Sequence, residues 1–430
     1  MPNKFLFISK DALISDIAWQ VVKEGQSVKY YIENKSEDDI ADGFVPKTKN
    51  WREAVDWADV IIFDDVLGQG TIAQELRKSG KKVIGGSPFT DQLEDDRSFG
   101  QYELKRHGVN IIPFWEFTDF DKAISLIKKH PDEYVIKPSG EAQNIKQLLF
   151  VGMEKDGNDV IRVLTSYKRV WSNDIKIFQL QKRVKGVEIA VGAFFNGKKF
   201  LFPININFEY KKLFPGNLGP ATGEMGTSMF WSEPNRLFNE TLKKLEQTLI
   251  DEQYVGYIDI NCIVNGQGIY PLEFTARFGY PTISIQKDGI LNPMGEFLLA
   301  LANGEDYKLK VKKGFQVGVR IIVPPYPYRD KKTFNSYSKG ATVVFTKPPN
   351  NFEGIHIEDI KLHKGEWIVT GSAGVALIVV GAGLTMREAQ KQAYSRISNI
   401  LIPNMYYRKD IGDRWFEERD KLHSWNIMCH

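Results

Sequence analysis

The sequence has little cysteine, little excess charge and no long apolar run. Its two cysteines, Cys262 and Cys429, lie far apart, so they allow at most one disulfide and no cysteine-based metal site. The 57 lysines and arginines nearly balance the 54 aspartates and glutamates, and they are scattered, which argues against a nucleic-acid partner. No stretch approaches the roughly 20 apolar residues of a membrane-spanning helix, and the apolar start is too short for a signal peptide. We therefore expect a soluble, cytoplasmic protein with no membrane partner.

Several catalytic signatures are missing as well. There is no GxxxxGK motif followed by serine or threonine, and no GxGxxG follows a strand, so P-loop and Rossmann dinucleotide sites are disfavoured. Neither a GxSxG nucleophile elbow nor an HExxH zinc motif occurs. The 6 histidines lie mostly at helix ends and in hydrophilic stretches, without an obvious nucleophile beside them. A hydrolase is therefore a poor hypothesis.

A chain of 430 residues predicts two or three domains. Residues 1–88 alternate short apolar strands with helical patterns, which predicts an α/β domain with a small parallel sheet, Rossmann-like in layout. Ligands of such sheets bind at the carboxyl ends of the strands. Polar residues that follow the strands are therefore candidates for a substrate pocket, although such residues often only face solvent: Ser9, Asp64, Asp65 and Ser87.

The rest of the chain predicts two α+β domains, at 89–304 and 305–430. The first begins with a charged helix over 91–107 and continues with strands of an antiparallel sheet. A glycine-rich loop at 216–226 interrupts it, and such loops often bind ligands. The second contains strands near 316–323, 341–345 and 375–380. A helix over 385–400 completes it, with Thr385 and Glu388 as a capping box.

Two acidic residues stand on a predicted hairpin. The strands 255–261 and 270–277 are joined by a turn at 265–268, so Asp259 and Glu273 can share one face. Like charges on one face repel unless a cation lies between them, and hard carboxylate oxygens suit Mg2+. The alternative is that both are solvated charges at strand ends.

Two further positions favour nucleotide binding. Lys137 ends an apolar strand, where its ammonium group can reach a phosphate in a cleft. A strand breaks at Gly186 and resumes with Glu188, so its backbone could read an adenine edge and its carboxylate could accept from ribose hydroxyls. The alternatives are a solvated lysine and a β-bulge with an exposed acid.

The order of these residues resembles the ATP-grasp superfamily. More specifically, three segments resemble glycinamide ribonucleotide synthetase, the phosphoribosylamine–glycine ligase family. GPATGEMG at 219–226 is similar to that family's GPNTGGMG loop, and EFTARFGYP at 273–281 is similar to its EFNxRFGDPE segment. YRKDIG at 407–412 is similar to its YRxDIG ending. The resemblance implies an ATP-grasp fold with an amino-terminal pre-ATP-grasp domain, a lid at about 118–185 and a carboxyl-terminal α+β domain.

The resemblance also implies an ATP-dependent ligase that joins a small-molecule carboxylate to an amine through an acyl-phosphate, with Mg2+ or Mn2+. By this likeness Lys137 and Arg277 are catalytic, and Asp259, Glu273 and Thr275 hold the metal. The implied ATP-binding residues are Arg97, Lys137, Gln181, Lys182, Val184 and Glu188. The implied substrate-binding residues are Ser9, Lys211, Gly219, Thr222, Gly223, Met225, Gly226 and Arg277. A monomer or homodimer is expected.

The sequence departs from the family in several places. The amino-terminal GSGGREHA signature is absent, and the glycine-rich lid is reduced to residues 140–144. Thr275 replaces the usual asparagine ligand, and Tyr280 and Thr282 replace an aspartate and a glutamate. These differences favour a different amino acid, a modified nucleotide or a peptide as substrate. A nucleotide-binding protein that has lost catalysis is the other alternative.

Overall fold

The amino-terminal part of the computed structural model is a four-stranded parallel sheet. The structure describes residues 1–64, 68–139, 145, 148–347 and 352–428. The strands are β1 (Lys4–Ser9), β2 (Ser27–Ile32), β3 (Val60–Phe63) and β4 (Val83–Ile84), in the order β2-β1-β3-β4. The helices are α1 (Ser15–Lys23) and α2 (Gly70–Lys78). β1 and β3 are buried and apolar, as expected for strands covered on both faces, so the predicted parallel sheet is confirmed.

The predicted single helix over 91–107 is wrong. The chain forms α3 (Pro88–Asp95) and α4 (Arg97–Arg106), which are separated at Asp96. Asp96 has extended backbone angles, and its carboxylate accepts from the backbone N–H groups of Ser98 and Phe99. An aspartate that caps a second helix therefore ends the first one. The consequence for the site is that Arg97 lies in the first turn of α4.

A second sheet with its own apolar core follows. It consists of β5 (Phe114–Phe117), β6 (Tyr134–Pro138), β7 (Phe150–Val151) and β8 (Phe178–Lys182), in the order β5-β8-β6-β7. Helices α5 (Phe120–Lys129) and α6 (Asn158–Val170) pack on it, and their buried side chains form a separate cluster. This small sheet contains most of the predicted lid, although its first strand begins before residue 118. Residues 140–144 of the lid lie outside the described residues.

The remaining elements run from 187 to 424. Up to residue 302 they are β9 (Val187–Asn196), β10 (Ile204–Glu209), β11 (Lys212–Phe214), β12 (Leu218–Ala221), β13 (Gly226–Ser232), α7 (Arg236–Glu240), α8 (Glu246–Asp251), β14 (Val255–Asn265), β15 (Gly268–Thr275), α9 (Thr282–Gly289) and α10 (Met294–Ala302). After it they are β16 (Phe315–Ile322), α11 (Lys331–Tyr337), β17 (Val344–Phe345), β18 (Ile355–Ile357), β19 (Ile360–His363), β20 (Glu366–Val369), β21 (Val375–Gly383), α12 (Met386–Ile397), β22 (Ile400–Leu401) and α13 (Arg414–Ser424).

One antiparallel sheet spans the predicted second and third domains. Its order is β15-β14-β9-β10-β13-β16-β21-β18, so three strands from beyond residue 305 extend the sheet that begins at residue 187. The predicted boundary at 304 is therefore not a break in the sheet, and the three-part division stays a prediction. The predicted strand over 341–345 shortens to β17, and the predicted capping box of Thr385 and Glu388 at α12 is confirmed. No helix in the described ranges is long and apolar enough to cross a membrane.

Candidate active site

The residues expected at the phosphates lie close together where the small sheet faces the large one. Lys137, near the end of β6, is buried together with the strand that carries it. Burial lowers the pKa of Lys137 to about 7, and the nearby charge of Arg97 acts in the same direction. Glu273 and Glu188 act in the opposite direction on this ammonium group. Cations from α4 and β6 and carboxylates from β9 and β15 are therefore close enough for their charges to act on one another, and this cluster is called the pocket below.

Lys211 occupies the centre of the acidic side of this pocket. Its Nζ lies 3.0 Å from Glu273 Oε1 and 3.1 Å from both Glu188 Oε1 and Glu209 Oε2. Burial lowers the pKa of the Lys211 ammonium group, but the three carboxylates outweigh it and raise that pKa well above its usual value. Lys211 in turn lowers the pKa of Glu273 to about 2. Lys211 also outweighs burial at Glu188 and lowers its pKa, so Glu188 and Glu273 are held charged around this cation.

The hairpin of β14 and β15 confirms that Asp259 and Glu273 share a face. Its register pairs Asp259 with Thr275 and Asn261 with Glu273, so the two acids are diagonal neighbours rather than directly opposite. The amide of Asn261 donates to Glu188 Oε1 at 3.1 Å and to Glu209 Oε2 at 2.9 Å. Sequence reasoning missed Asn261 and Glu209. The signal was available, because Asn205, Asn207 and Glu209 repeat every second residue along one face of β10.

Asp259 differs from Glu273 in its surroundings. It is buried, and its carboxylate is hydrogen-bonded to the Thr275 side chain. Burial and the nearby charge of Glu209 raise the pKa of Asp259 well above its usual value. Within the described part of the chain, no group of three or more histidine, cysteine, aspartate or glutamate side chains is arranged to hold a metal as it stands. The metal set of Asp259, Glu273 and Thr275 therefore stays a prediction.

The residues expected at the adenine lie along β8 and the segment after it. Gln181 is buried in β8, opposite Val135 of β6. Lys182 points elsewhere, because its ammonium group pairs with Asp132 at 2.8 Å. Val184 lines a polar cavity of about 650 Å³ together with Arg183 and Lys185. The adenine-binding role of Gln181, Lys182 and Val184 therefore stays a prediction, and the Lys182 side chain is engaged with Asp132.

Arg277 has a partner that the sequence did not predict. Its guanidinium group pairs with Glu94 of α3 at 2.7 Å and also donates to the backbone oxygen of Phe278. Glu94 accepts from the backbone N–H of Ala276 as well, which fixes the turn after β15. Glu94 and Phe278 therefore hold the Arg277 guanidinium group in place near Asp259, and its expected substrate role stays a prediction.

The glycine-rich loop is fixed at both ends. Thr222 donates from its N–H and its hydroxyl to the Lys211 carbonyl, and Met225 is fully buried. Gly219 has φ +78°, and an added Cβ at Gly226 would lie 2.5 Å from the Gly318 carbonyl oxygen. A Cβ at Gly223 would instead meet only Arg320 Nη1, at 3.7 Å. The loop thus has a packed frame with open space at Gly223.

Two expected pocket residues of the amino-terminal sheet have structural partners. The Ser9 hydroxyl is buried and donates to the Asp64 carboxylate. Ser87 caps α3, with its hydroxyl accepting from the Thr90 N–H. Asp65 lies outside the described residues. These contacts explain both serines without a ligand.

Three comparisons with known proteins bear on the fold and on the family resemblance. Residues 95–283 match the family model described as phosphoribosylglycinamide synthetase, ATP-grasp (A) domain. The phosphoribosylamine–glycine ligase of Clostridium acetobutylicum is 26% identical over 358 residues, which is 79% of this chain and 81% of that protein. The enzyme of the same name from Halalkalibacterium halodurans is 24% identical over 371 residues, covering 81% and 80%. The crystal structure of phosphoribosylamine–glycine ligase from Thermotoga maritima has a TM-score of 0.70 and 22% identity, covering 95% of this chain and 100% of that chain.

Residues 95–283 are therefore similar to an ATP-grasp domain, and the chain has the fold found in the ATP-grasp superfamily of ligases. Within that superfamily it is similar to phosphoribosylamine–glycine ligases over about four-fifths of its length. The ATP-grasp fold and the family resemblance expected from the sequence are both confirmed.

Proposed function

We propose that this protein joins a carboxylate to an amine with ATP, through an acyl-phosphate intermediate. The observation that carries the proposal is the pocket in which Lys137, Arg97 and Lys211 meet Glu188 and Glu273. A substrate carboxylate attacks the γ-phosphorus of ATP and ADP leaves. An amine then attacks the acyl carbon, phosphate leaves, and an amide forms. The ammonium and guanidinium groups offset the charge of the transferring phosphoryl group.

The acidic side of the pocket fits a divalent cation. Glu188, Glu209 and Glu273 already hold the Lys211 ammonium group at 3.0–3.1 Å, and carboxylate oxygens are the ligands that Mg2+ and Mn2+ prefer. Glu273 and Asp259 would hold the metal, with Thr275 beside them through its bond to Asp259. When bound, the metal neutralises phosphate charge. Lys211 would have to move from Glu273 as this happens.

The remaining residues serve binding. Gln181 and the backbone near Val184 bind adenine, Glu188 accepts from the ribose hydroxyls, and Arg97 and Lys137 bind the phosphates. The small sheet closes over the nucleotide and keeps water from the acyl-phosphate. Arg277 orients the carboxylate, with Glu94 holding its guanidinium group in place.

For the substrates we propose glycine and an amine acceptor, as the names of the relatives state for those proteins. A different acceptor from phosphoribosylamine is the second candidate. It is supported by Ser9, whose hydroxyl is bound to Asp64 and is therefore not available to a ligand at the position of the missing family signature. A cytoplasmic location and a monomeric or homodimeric state are further proposals.

The test measures ADP release from ATP and Mg2+ with glycine and a panel of amines. We expect Glu273→Gln to lower kcat at least about a hundredfold, because an electrostatic group at the transferring phosphoryl is lost. Glu240→Gln, in a surface ion pair with Arg236, is the matched control and should leave turnover unchanged. Undiminished turnover in Glu273→Gln would contradict the site. If the wild type binds ATP but releases no ADP with any substrate pair, the protein is a nucleotide-binding protein without catalysis.

A further inference from the structure

Glu224 lies in a part of the glycine-rich loop whose backbone is held on both sides. On one side Thr222 is bound to the Lys211 carbonyl, and on the other Met225 donates to the Tyr210 carbonyl. The Glu224 carbonyl accepts from Arg320 Nη1 at 3.1 Å and from the Tyr326 hydroxyl at 3.4 Å. Both of those residues belong to the segment after residue 305. The backbone of Glu224 is therefore anchored from two sides.

The carboxyl group of Glu224 lacks the partner that such burial normally requires. The residue is only 5% exposed, and its Oε1 atom has no hydrogen-bond partner among the residues the structure describes. A buried polar atom left unpaired costs about 1–3 kcal/mol, so proteins seldom keep one without a reason. A structural glutamate would be expected to find a donor.

Two more buried acceptors with the same property lie on the sheet face that carries Glu209 and Asp259, the two carboxylates whose charge acts on Glu224. Asn207 and Asn261 are both register partners of Ala190 on β9, and its small side chain separates them. Asn261 donates its amide to Glu188 and Glu209, which leaves its Oδ1 buried and without a partner in the described residues. Asn207 is buried with neither of its amide atoms hydrogen-bonded to a described residue. Both share the face of Glu209.

The carboxyl group of Glu224 lies near negative charges, and the cations near it pair with other carboxylates. Burial and the negative charge of Glu209 raise the pKa of Glu224 well above its usual value, and Asp259 contributes in the same direction. The two nearby cations are engaged elsewhere. Arg320 pairs with Glu358 at 2.8 Å, and Lys211 is shared by Glu188, Glu209 and Glu273. A ligand that brings a positive charge and hydrogen-bond donors would satisfy these groups.

We infer that Glu224, with Asn261 and Asn207, binds the ammonium group of an amino-acid substrate and so selects amino acids over simple carboxylic acids. An ammonium group has three N–H donors, which matches three unpaired acceptors. Because Glu224 lies near Lys211 and Asp259, the substrate carboxylate a few bonds away reaches the phosphoryl end of the site. This inference rests on the proposed function, and it makes Glu224 a specificity-determining residue.

The test compares matched pairs of acids, glycine with acetate and β-alanine with propionate. Hydroxylamine attacks the acyl-phosphate, and the hydroxamate that forms with release of phosphate is measured with ATP and Mg2+. We expect the wild type to prefer the amino acids. Glu224→Gln should lower kcat/KM for the preferred amino acid about ten- to a hundredfold, because one charge-assisted hydrogen bond is lost. Acetate turnover and the KM for ATP should stay within about twofold, which also shows that the variant is folded.

Glu358→Gln is the matched control, since it removes a carboxylate on the other side of Arg320. Its preference for glycine over acetate should equal that of the wild type. Equal use of the paired acids by the wild type, or an equal loss for both acids in Glu224→Gln, would overturn the inference while the ligase function stands. If the wild type forms no hydroxamate from any acid, the proposed function itself fails, and the inference fails with it.

Discussion

Asp16 is the centre of a buried ion cluster that joins three parts of the chain. Its carboxylate lies 2.6 Å from Lys287 Nζ of α9 and 3.0 Å from His356 Nδ1 of β18, and it accepts from the Ile357 N–H at 3.3 Å. The side chains of Asp16, Lys287 and His356 are only 3%, 6% and 4% exposed. α1, α9 and β18 are therefore held together by one carboxylate. The perturbation that tests this role is Asp16→Asn.

Asparagine keeps the shape of aspartate but removes the charge that compensates Lys287. Breaking one side of a buried ion pair costs about 3–5 kcal/mol, because the other charge is left uncompensated. The amide oxygen of asparagine can still accept from the Ile357 N–H. We therefore expect the free energy of unfolding to fall by about 3 kcal/mol, the low end of that range. The urea concentration at the midpoint of unfolding should fall by the amount that corresponds to this loss in the free energy of unfolding.

The same cluster predicts a pH dependence. Burial, with the charge of Lys287, lowers the pKa of His356 below its usual 6.5, so the folded state keeps this histidine neutral. Below pH 6.5 the unfolded chain takes up a proton that the folded chain does not, and stability falls. The pKa of Asp16 is lowered despite the opposing effect of burial, because Lys287 and His356 favour its charged form. The Asp16 contribution is therefore present above pH 3.8, the usual carboxyl value, and is lost below it.

Urea unfolding at pH 7.5 and pH 5.5 checks both statements. Asp42→Asn is the control, because Asp42 and Lys47 form a partly exposed pair at 2.5 Å whose loss should cost less than about 1 kcal/mol. Wild type should be less stable at pH 5.5 than at pH 7.5, and His356→Gln should show a smaller difference. A loss below about 1 kcal/mol in Asp16→Asn would refute the reasoning, since the cluster would then behave like a surface pair.

Two further predictions concern the loop and the acidic pocket. Lys211→Met leaves Glu188, Glu209 and Glu273 without their shared cation, so the thermal unfolding midpoint of the variant should fall in EDTA. Millimolar Mg2+ should then raise the midpoint of the variant more than that of the wild type. Equal Mg2+ responses of the two proteins would contradict the shared site. Arg408→Lys removes the fork that holds the Lys212 carbonyl at 2.8 Å and Asp410 at 2.6 Å, so residues 212–221 should become more sensitive to limited proteolysis at a cost of about 1–3 kcal/mol. Unchanged cleavage there would contradict this role.

The sequence was sufficient where a signal is local. The apolar runs of β1 and β3 predict buried parallel strands, and Thr385 with Glu388 predicts the start of α12 within a few residues. The alternation on β14 and β15 placed Asp259 and Glu273 on one face without any tertiary information. Each of these signals depends on residues that are neighbours in the chain.

The contacts that could not be predicted join parts of the chain that are distant in sequence. The ion pair between Arg277 and Glu94 of α3, at 2.7 Å, joins residues that lie more than 180 positions apart. The hydrogen bond from Ser9 to Asp64 likewise joins the end of β1 to the residue after β3. The break between α3 and α4 has a local cause, because Asp96 is a residue type that caps helices. In the sequence it lies within a run of acidic residues, and the cap was not predicted.

The two halves of the site follow different physical rules, and this explains why only one could be predicted. The phosphates of ATP require cations and a metal requires carboxylates, so Lys137 and Glu273 are recognisable from residue type and strand position alone. The acceptor side has no such fixed requirement. There, recognition depends on which polar atoms remain unpaired after folding, and Glu224, Asn207 and Asn261 become visible only when the hydrogen bonds of their neighbours have been assigned. Under the proposed function, the unpaired acceptors of this face, rather than the nucleotide pocket, would decide which carboxylate is used.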